Sequence, residues 1–369
     1  MVDPHATPET RALFVNLYRL AGRQVMFGHQ DDLVDGVTWH DEPGRSDVKE
    51  VAGSYPAVYG WDVGGIERGA SPTLDRTSAG ELRRLIVQAF ERGGVNTISW
   101  HMSNPLTGGS AWDTTRALAT LLPGGSHHAR YVRWLDRFAD FVSSLRAVGP
   151  SGDTVLVPVI FRPFHEMSGS WFWWGARHAR AEDYRRLWRF TVEYLRDVRG
   201  VHNLLWAYST NALSEFPRNA YWTWYPGDAY VDILGFDDYF TLQGGYDHTL
   251  RHPVARMTEY LRWLVRQADA RGKIAALTET GYEGIPDPTW WTNKLLAAIE
   301  GDSVARKIAY VLVWRNANRA TGGRGHFYAP YPGQVSARDF VRFRDDPLIV
   351  FEDDLPDLYR LPAGLGSRR

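Results

Sequence analysis

Eight short apolar runs along the chain place the strongest constraint on its fold. Most are continuous rather than alternating, as in VLVPVIF, VDILGF and AYVLVW. This pattern is typical of strands that are buried on both faces of a parallel sheet. The runs cover residues 24–29, 56–63, 95–101, 155–163, 203–209, 231–237, 274–278 and 309–315.

Helical patterns separate these runs. Thr7 and Pro8 form an N-cap and first turn ahead of an apolar face, and Ser78 with Glu81 forms a capping box ahead of another. The same 3.6-residue spacing returns over residues 184–195 and 257–268. Alternating strands and helices predict an α/β fold, a single (β/α)8 TIM barrel, with a doubly wound open sheet as the weaker alternative.

The chain has the length of one such barrel. It contains 369 residues, and TIM barrels run from about 200 to more than 400 residues. No low-complexity linker, charge block or long Pro/Ser/Gly stretch divides it. We therefore predict one catalytic domain over residues 1–369, with a core from about residue 8 to 350 and no separate binding module.

Composition and charge exclude several classes of function. The net charge is -1, with no basic run, so nothing predicts binding to nucleic acid or to an anionic membrane. The absence of cysteine excludes thiolate catalysis and iron–sulfur ligation. Neither a phosphate-binding loop nor an apolar run of membrane-spanning length occurs. We expect no metal ion, organic cofactor, nucleic acid or membrane as a partner.

Two glutamates stand at the ends of predicted strands. Glu166 follows VLVPVIF within RPFHEM, and Glu279 follows IAAL within IAALTETG. Barrel enzymes carry their chemistry at these ends, and strands four and seven are expected to meet across the barrel. A retaining glycosidase needs two carboxyl groups about 5–5.5 Å apart, one an acid and one a nucleophile. The alternative is that both are surface or ion-paired carboxylates.

The neighbours of the two glutamates are expected to give them different properties. His165 and the aromatic Trp171 provide a drier setting for Glu166, which favours its protonated form. The hydroxyl of Tyr239 is placed to keep Glu279 ionised. Different environments of this kind separate an acid from a nucleophile.

Other readings of the same residues are weaker or remain open. A metalloprotease motif after His165 would need a second histidine where Gly169 stands. His29 and His101 are more typical of scaffold histidines than of catalytic bases, so they are binding candidates only. Sixteen tryptophans suggest flat contacts such as sugar rings, although residues 171–174 could equally form a packed loop.

Several sequence blocks together resemble a known family. FRPFHEMSGSWFWWG, WHMSNP, YPGDAYVDILGFDDYF, ALTETGYEG and VLVWRNA are similar to the signature blocks of glycoside hydrolase family 26, chiefly β-mannanases. FGHQDD and YPAVYGWDVGG agree as well, and the blocks run in family order from Phe27 to Asn316. The resemblance implies a (β/α)8 barrel with its acid/base at the end of strand four and its nucleophile at the end of strand seven.

The resemblance also assigns roles to individual residues. It implies that Glu166 is the acid/base and Glu279 the nucleophile, that Tyr239 hydrogen-bonds the nucleophile, and that His165 stands beside the acid. His101 matches a histidine that contacts sugar at the subsite before the cleaved bond. Further substrate-binding positions are implied for Arg162, Trp171, Trp174, Asp237, Trp314 and Arg315. Ser168 departs from the family pattern, which often has an acidic residue there.

The activity implied is retaining hydrolysis by double displacement. Its substrates would be β-1,4-mannosidic linkages in mannan, galactomannan, glucomannan or mannooligosaccharides. Within the family, β-1,3-xylan or mixed-linkage β-glucan is the alternative substrate, and a barrel that binds polysaccharide without cleaving it is an alternative of another class. Loops at residues 35–47, 106–130 and 243–252 would decide between cleavage within the chain and cleavage from its end.

A polymeric substrate also bears on location. We expect a monomer that acts outside the cytoplasm, in the extracellular space or the periplasm. The first residues show neither a basic segment nor an apolar segment of a signal peptide, so such a peptide would be absent from this sequence.

Overall fold

A computed structural model describes residues 1–69, 76–149, 152–216, 218–243, 252–321 and 323–362. Its centre is a barrel of eight parallel strands: β1 (Val25–Gln30), β2 (Val58–Asp62), β3 (Val95–Ser99), β4 (Val159–Arg162), β5 (Leu204–Thr210), β6 (Ile233–Asp238), β7 (Ile274–Thr280) and β8 (Tyr310–Val313). Each strand pairs with the next in chain order, and β8 pairs with β1 through Met26 and Tyr310. The predicted (β/α)8 barrel is confirmed.

Every residue of the eight barrel strands is buried, which explains why their sequences do not alternate. Seven strands lie within two residues of their predicted bounds. The predicted strand 155–163 is wrong in its first half. Thr154–Leu156 instead pairs antiparallel with Arg146–Val148 in a separate hairpin, and only Val159–Arg162 joins the barrel. Pro158 lies between them and has no amide hydrogen for a sheet.

Helices alternate with the strands. They are α1 (Pro8–Leu20), α2 (Asp47–Ala52), α3 (Ala79–Glu91), α4 (His128–Ser143), α5 (Ala181–Glu193), α6 (Ala220–Thr223), α7 (Pro253–Asp269), α8 (Ala297–Glu300) and α9 (Ala337–Arg344). A π-helical turn, Tyr194–Val198, extends α5, and another, Trp291–Leu296, precedes α8. Both predicted N-caps form: Oγ1 of Thr7 accepts from the Thr10 amide at 3.2 Å, and Oγ of Ser78 from the Glu81 amide at 3.1 Å. The Glu81 carboxylate, the other half of the predicted capping box, accepts from Arg84 at 3.0 Å.

Both ends of the described chain cover the amino-terminal end of the barrel. A short strand, β9 (Ile349–Val350), runs parallel to the start of β1 beside Val25. The Phe351 ring stacks on Phe27 with centroids 5.0 Å apart. At the other terminus, the amide of Val2 donates to Asp232 at 2.6 Å. This end of the barrel is therefore closed by packing, and the opposite end carries the loops of the site.

Most tryptophans belong to the core rather than to an exposed surface. Nine of the sixteen have less than 2% of their side chain exposed: Trp39, Trp61, Trp100, Trp173, Trp174, Trp188, Trp206, Trp290 and Trp291. The tryptophan content by itself is therefore mainly a packing feature, and only particular positions bear on function. No helix within the described ranges combines the length and apolar character needed to cross a membrane.

Candidate active site

A cleft of about 300 Å³ opens at the carboxyl-terminal end of the barrel. This is the end at which barrel enzymes place their reactive groups, because the loops that follow the strands converge there. The residues that line the cleft are His101, Trp112, His165, Glu166, Trp171, Phe172, Asn211, Tyr239, Phe240, Glu279, Trp314 and Tyr328. Both predicted glutamates are among them.

Glu166 and Glu279 come together although β5 and β6 separate their strands along the sheet. Closure of the barrel brings the ends of β4 and β7 to one point. One oxygen of each glutamate and one of Asp237 lie within 4.8 Å of each other. Such a close approach of the two carboxyl groups fits the roughly 5–5.5 Å arrangement of a retaining pair better than the roughly 6.5–9.5 Å of an inverting pair.

Arg162, the last residue of β4, supplies the positive charge of the site. Its guanidinium donates to Oε1 of Glu279, to Oδ2 of Asp237 at 2.6 Å and to Oγ of Ser209 at 3.1 Å. The side chain is only 3% exposed, and its acidic partners keep the guanidinium protonated. Burial of these charges costs desolvation free energy, which their mutual attraction offsets. Removal of one partner would therefore leave an uncompensated buried charge.

Both oxygens of Glu279 are held by donors. Arg162 donates to Oε1, and the hydroxyl of Tyr239 donates to Oε2 at 2.8 Å. Burial and the neighbouring Glu279 raise the pKa of Tyr239 well above its usual value, so the phenol remains a donor. An oriented, ionised carboxylate is the form that a nucleophile needs.

Glu166 stands in a different environment. Burial, together with the negative charges of Asp237 and Glu279, raises its pKa well above the usual value for a glutamic acid. The indole N–H of Trp171 donates to its Oε2 at 2.7 Å. A carboxyl group that keeps its proton near neutral pH can act as a general acid.

Two histidines line the same wall of the cleft. The rings of His101 and His165 meet edge to face at 4.6 Å. Nδ1 of His101 is hydrogen-bonded to Asp62 at 2.8 Å, which leaves Nε2 as the other polar atom of the ring. Burial and the charge of Arg162 lower the pKa of His165 well below its usual value, so its imidazole is neutral.

Four predicted substrate-binding residues do not line the cleft. The indole of Trp174 is fully buried and donates to the carbonyl of His165 at 2.8 Å, so the structure does not support contact with a sugar there. Arg162 and Asp237 are also buried and bind each other, which makes them supports of the carboxyl pair. Arg315 is half-buried and does not line the cleft.

The remaining predicted positions have the expected surroundings. Trp171 and Trp314 line the cleft and are half-buried, and the Trp314 ring packs edge-on against His101 at 6.1 Å. His29 is a scaffold residue, fully buried with Nδ1 bonded to Asp32 at 2.7 Å. Oγ of Ser168, at the position that departs from the family pattern, accepts the amide of Asn211 at 2.9 Å.

The sequence reasoning missed three aromatic residues of the cleft, Trp112, Phe240 and Tyr328. Trp112 is 48% exposed and stacks on His101 with centroids 5.1 Å apart. Tyr328 packs edge-on against Tyr239 at 5.7 Å. Trp112 and Tyr328 lie on long loops that carry no strand-end signal. For Trp112, an isolated tryptophan among small and polar residues was the only available sign.

The three clustered carboxylates are also the group in the described chain that could ligate a metal ion. The guanidinium of Arg162 already binds Asp237 and Glu279, so a cation is present among them without a metal. The expectation that no metal takes part remains a prediction.

The fold and site together define a class: a (β/α)8 barrel whose paired carboxyl groups, one held by donors and one protonated by its environment, are arranged as in retaining glycoside hydrolases. The sequence matches glycosyl hydrolase family 26 over residues 2–287. The chain belongs to this family.

Individual relatives agree with that assignment. The structure of a GH26 β-mannanase from Bacteroides ovatus is 44% identical, with a TM-score of 0.88 over 97% of this chain and 98% of that one. A modular endo-β-1,4-mannanase from Cellulomonas fimi is 39% identical, with a TM-score of 0.86 over 98% of this chain and 80% of that one. A mannan endo-1,4-β-mannosidase from Bifidobacterium adolescentis is 36% identical over 98% of this chain, which spans only 36% of the length of that relative.

Proposed function

We propose that this protein is a retaining glycoside hydrolase that cleaves β-1,4-mannosidic linkages by double displacement. The observation that carries the proposal is the asymmetric pair of Glu166 and Glu279, whose nearest oxygens lie within 4.8 Å. The same pair argues against a barrel that only binds polysaccharide, because binding alone would not require two buried carboxyl groups in such different environments.

In the first step, an oxygen of Glu279 attacks the anomeric carbon of the sugar. The bond from that carbon to the glycosidic oxygen breaks, and protonated Glu166 transfers its proton to the leaving oxygen. Arg162 and Tyr239 hold the attacking carboxylate in place. The result is a covalent glycosyl-enzyme, and Glu166 is now ionised.

In the second step, Glu166 takes a proton from a water molecule that attacks the same carbon. The bond to Glu279 breaks, and the sugar leaves with its original configuration. Both residues return to their starting protonation states. The reaction balances with water as its only co-reactant, so the proposal needs no metal ion or cofactor.

Mannan is the proposed substrate because the relatives that cover most of this chain are named as mannanases or mannan endo-1,4-β-mannosidases. His101, whose ring lines the cleft beside the acid, is proposed to contact the sugar at the cleaved bond. Trp171 and Trp314 are proposed as its aromatic walls. Hydrolysis of β-1,3-xylan or mixed-linkage glucan is the alternative that the experiment must exclude.

Three further features belong to the proposal. A single domain is supported by the buried apolar side chains of the described ranges, which form one contiguous cluster. Action outside the cytoplasm is supported by the polymeric substrate, which cells do not take up intact. We also propose that the protein acts as a monomer, because the residues proposed for catalysis all come from one chain.

The test is a time course of products from linear β-1,4-mannan, with mixed-linkage glucan and β-1,3-xylan in parallel. The control is Glu279→Ala, which removes the nucleophile. A mixture of mannooligosaccharides early in the reaction is expected for cleavage within the chain, and mannobiose alone would indicate cleavage from its end. Release of products only from glucan or xylan would show that the proposed substrate is wrong.

A further inference from the structure

The loop after β4 is built to hold the indole of Trp171 against Glu166. Its N–H donates to Oε2 of Glu166 at 2.7 Å. Gly169 provides the space for the ring, because a Cβ there would lie 2.5 Å from Cη2 of Trp171. Gly175 allows the loop to close, because a Cβ there would lie 2.6 Å from the carbonyl oxygen of Gly169. Two glycines therefore support the placement of one indole.

The main chain of Glu166 is held separately. Its φ of 54° lies in the left-handed region, which a glutamate adopts only when its surroundings impose it. The Glu166 amide donates to the carbonyl of Ser209 on β5 at 3.0 Å, and its carbonyl accepts from the amide of Gly169 at 2.8 Å. With the backbone held, the remaining freedom of Glu166 is rotation of its side chain, which the indole restricts.

We propose that Trp171 is a positioning residue that gives the two oxygens of Glu166 different tasks, with Oε2 held by the indole N–H and Oε1 alone exchanging the proton. This inference rests on the retaining hydrolysis proposed above. An indole nitrogen donates and cannot accept, so a proton on Oε2 would oppose the N–H and the acid carries its proton on Oε1. Oε1–H breaks in the first step, and the same oxygen takes the proton of water in the second.

The surroundings of Glu166 indicate in which direction this contact shifts its pKa. Asp237 and Glu279 repel the ionised form of Glu166, while Arg162 and the Trp171 N–H favour it. A hydrogen bond to the charged form lowers a pKa. Loss of the indole N–H is therefore expected to raise the pKa of Glu166 further.

The other titratable groups around Glu166 do not depend on the Trp171 N–H. His165 is neutral because burial lowers its pKa, and Tyr239 is neutral because burial raises its pKa. Burial also raises the pKa of Asp237 to about 7, but Asp237 and Glu279 are hydrogen-bonded to Arg162. Replacement of Trp171 therefore removes a hydrogen bond from Glu166 and leaves the partners of these groups in place.

The first test compares Trp171→Phe with Trp314→Phe. Both variants keep an aromatic ring in the cleft and lose an indole N–H, but the Trp314 ring packs against His101 rather than Glu166. For Trp171→Phe, the basic limb of kcat/KM against pH is expected to move up by about one pH unit, because a hydrogen bond to a charged group contributes on this scale. For Trp314→Phe, the limb stays where it is in the parent protein.

The second half of the reaction gives a further readout. With 2,4-dinitrophenyl β-mannobioside, whose leaving group needs no proton, Trp171→Phe should accumulate glycosyl-enzyme, because less Glu166 is ionised to activate water. The proposal is overturned if the two tryptophan variants show the same basic limb and the same steady-state level of glycosyl-enzyme.

A measurement without substrate separates this proposal from the proposed function. The Glu166 carboxyl is titrated by 13C NMR in the ligand-free protein, with Glu166→Gln to assign its signal. Gly169→Ala, which keeps the indole N–H but pushes the ring aside, should raise the Glu166 pKa as Trp171→Phe does. An unchanged pKa in both variants would refute the positioning role, even if the protein cleaves mannan. A raised pKa would support it, even if the polysaccharide substrate proves wrong.

Discussion

At the scale of single residues, the site depends on one functional group in two environments. Glu279 has a donor on each oxygen, one from Arg162 and one from Tyr239. Glu166 is buried near negative charges and has the Trp171 N–H on one oxygen. These two environments match the roles proposed for the glutamates, a nucleophile at Glu279 and an acid at Glu166.

Glu166→Ala is expected to lower hydrolysis of mannan by about 10²- to 10⁴-fold, which is the usual contribution of general acid–base catalysis. Formation of the glycosyl-enzyme from a dinitrophenyl glycoside should survive, because that leaving group departs without a proton. The raised pKa of Glu166 also predicts the sign of the pH effect. The parent protein loses kcat/KM on mannooligosaccharides as pH rises through that pKa, and the variant should lack this basic limb.

The matched control for that prediction is Glu182→Ala, which removes an exposed carboxylate on α5 that does not line the cleft. It should leave the pH profile unchanged. An equal loss of rate on mannan and on the dinitrophenyl substrate in Glu166→Ala would contradict the acid/base role.

At the scale of structural elements, the Asn316 side chain holds the loop after β8 to the first residue of α2 and to a later part of the same loop. Nδ2 of Asn316 donates to Asp47 at 2.8 Å and to the carbonyl of Ala329 at 3.1 Å. Its Oδ1 accepts the amides of Tyr328 at 2.9 Å and Ala329 at 3.0 Å. This buried amide therefore places the backbone from which Tyr328 enters the cleft.

Asn316→Ala should raise KM for mannooligosaccharides and lower the free energy of unfolding by about 1–3 kcal/mol, because buried backbone groups lose their partners. Asn219→Ala is the control, since Asn219 is exposed and makes no side-chain cap at the start of α6. Urea unfolding and steady-state kinetics measure the two effects. A KM equal to that of the Asn219 variant would show that the loop does not depend on Asn316.

At the scale of the whole molecule, the aromatic packing that closes the barrel and the cleft proposed for catalysis lie at opposite ends. Phe351 packs on Phe27 beside β9 at the amino-terminal end, and the cleft opens at the other end. Barrel enzymes commonly divide stability and catalysis between the two ends in this way. A substitution at the closed end is therefore expected to affect the folded fraction and to spare the chemistry.

Phe351→Ala should lower the free energy of unfolding by about 3–5 kcal/mol through the cavity that it leaves. At a temperature where the variant is still folded, its kcat on mannan should match that of the parent protein. Val148→Ala, at a side chain 61% exposed, is the control and should change stability by less than about 0.5 kcal/mol. A reduced kcat in the fully folded Phe351 variant would show that the two ends are coupled.

The sequence alone determined the barrel and the two glutamates that face its cleft. Continuous apolar runs predict buried parallel strands wherever they occur, because burial on both faces leaves no polar alternation. Their order along the chain then places residues such as Glu166 and Glu279 at the same end. The one wrong strand, at residues 155–163, contains Pro158, a local signal that the apolar pattern obscured.

Tertiary structure decided which of several similar side chains line the cleft and which are buried behind it. Trp171 and Trp174 stand three positions apart in one block, yet one lines the cleft and the other is buried behind His165. Arg162 meets Asp237 and Glu279 only because β4, β6 and β7 curve toward one another. Such contacts depend on distances between segments far apart in the chain. Local sequence pattern encodes the strands and helices, whereas closure of the barrel determines which side chains meet.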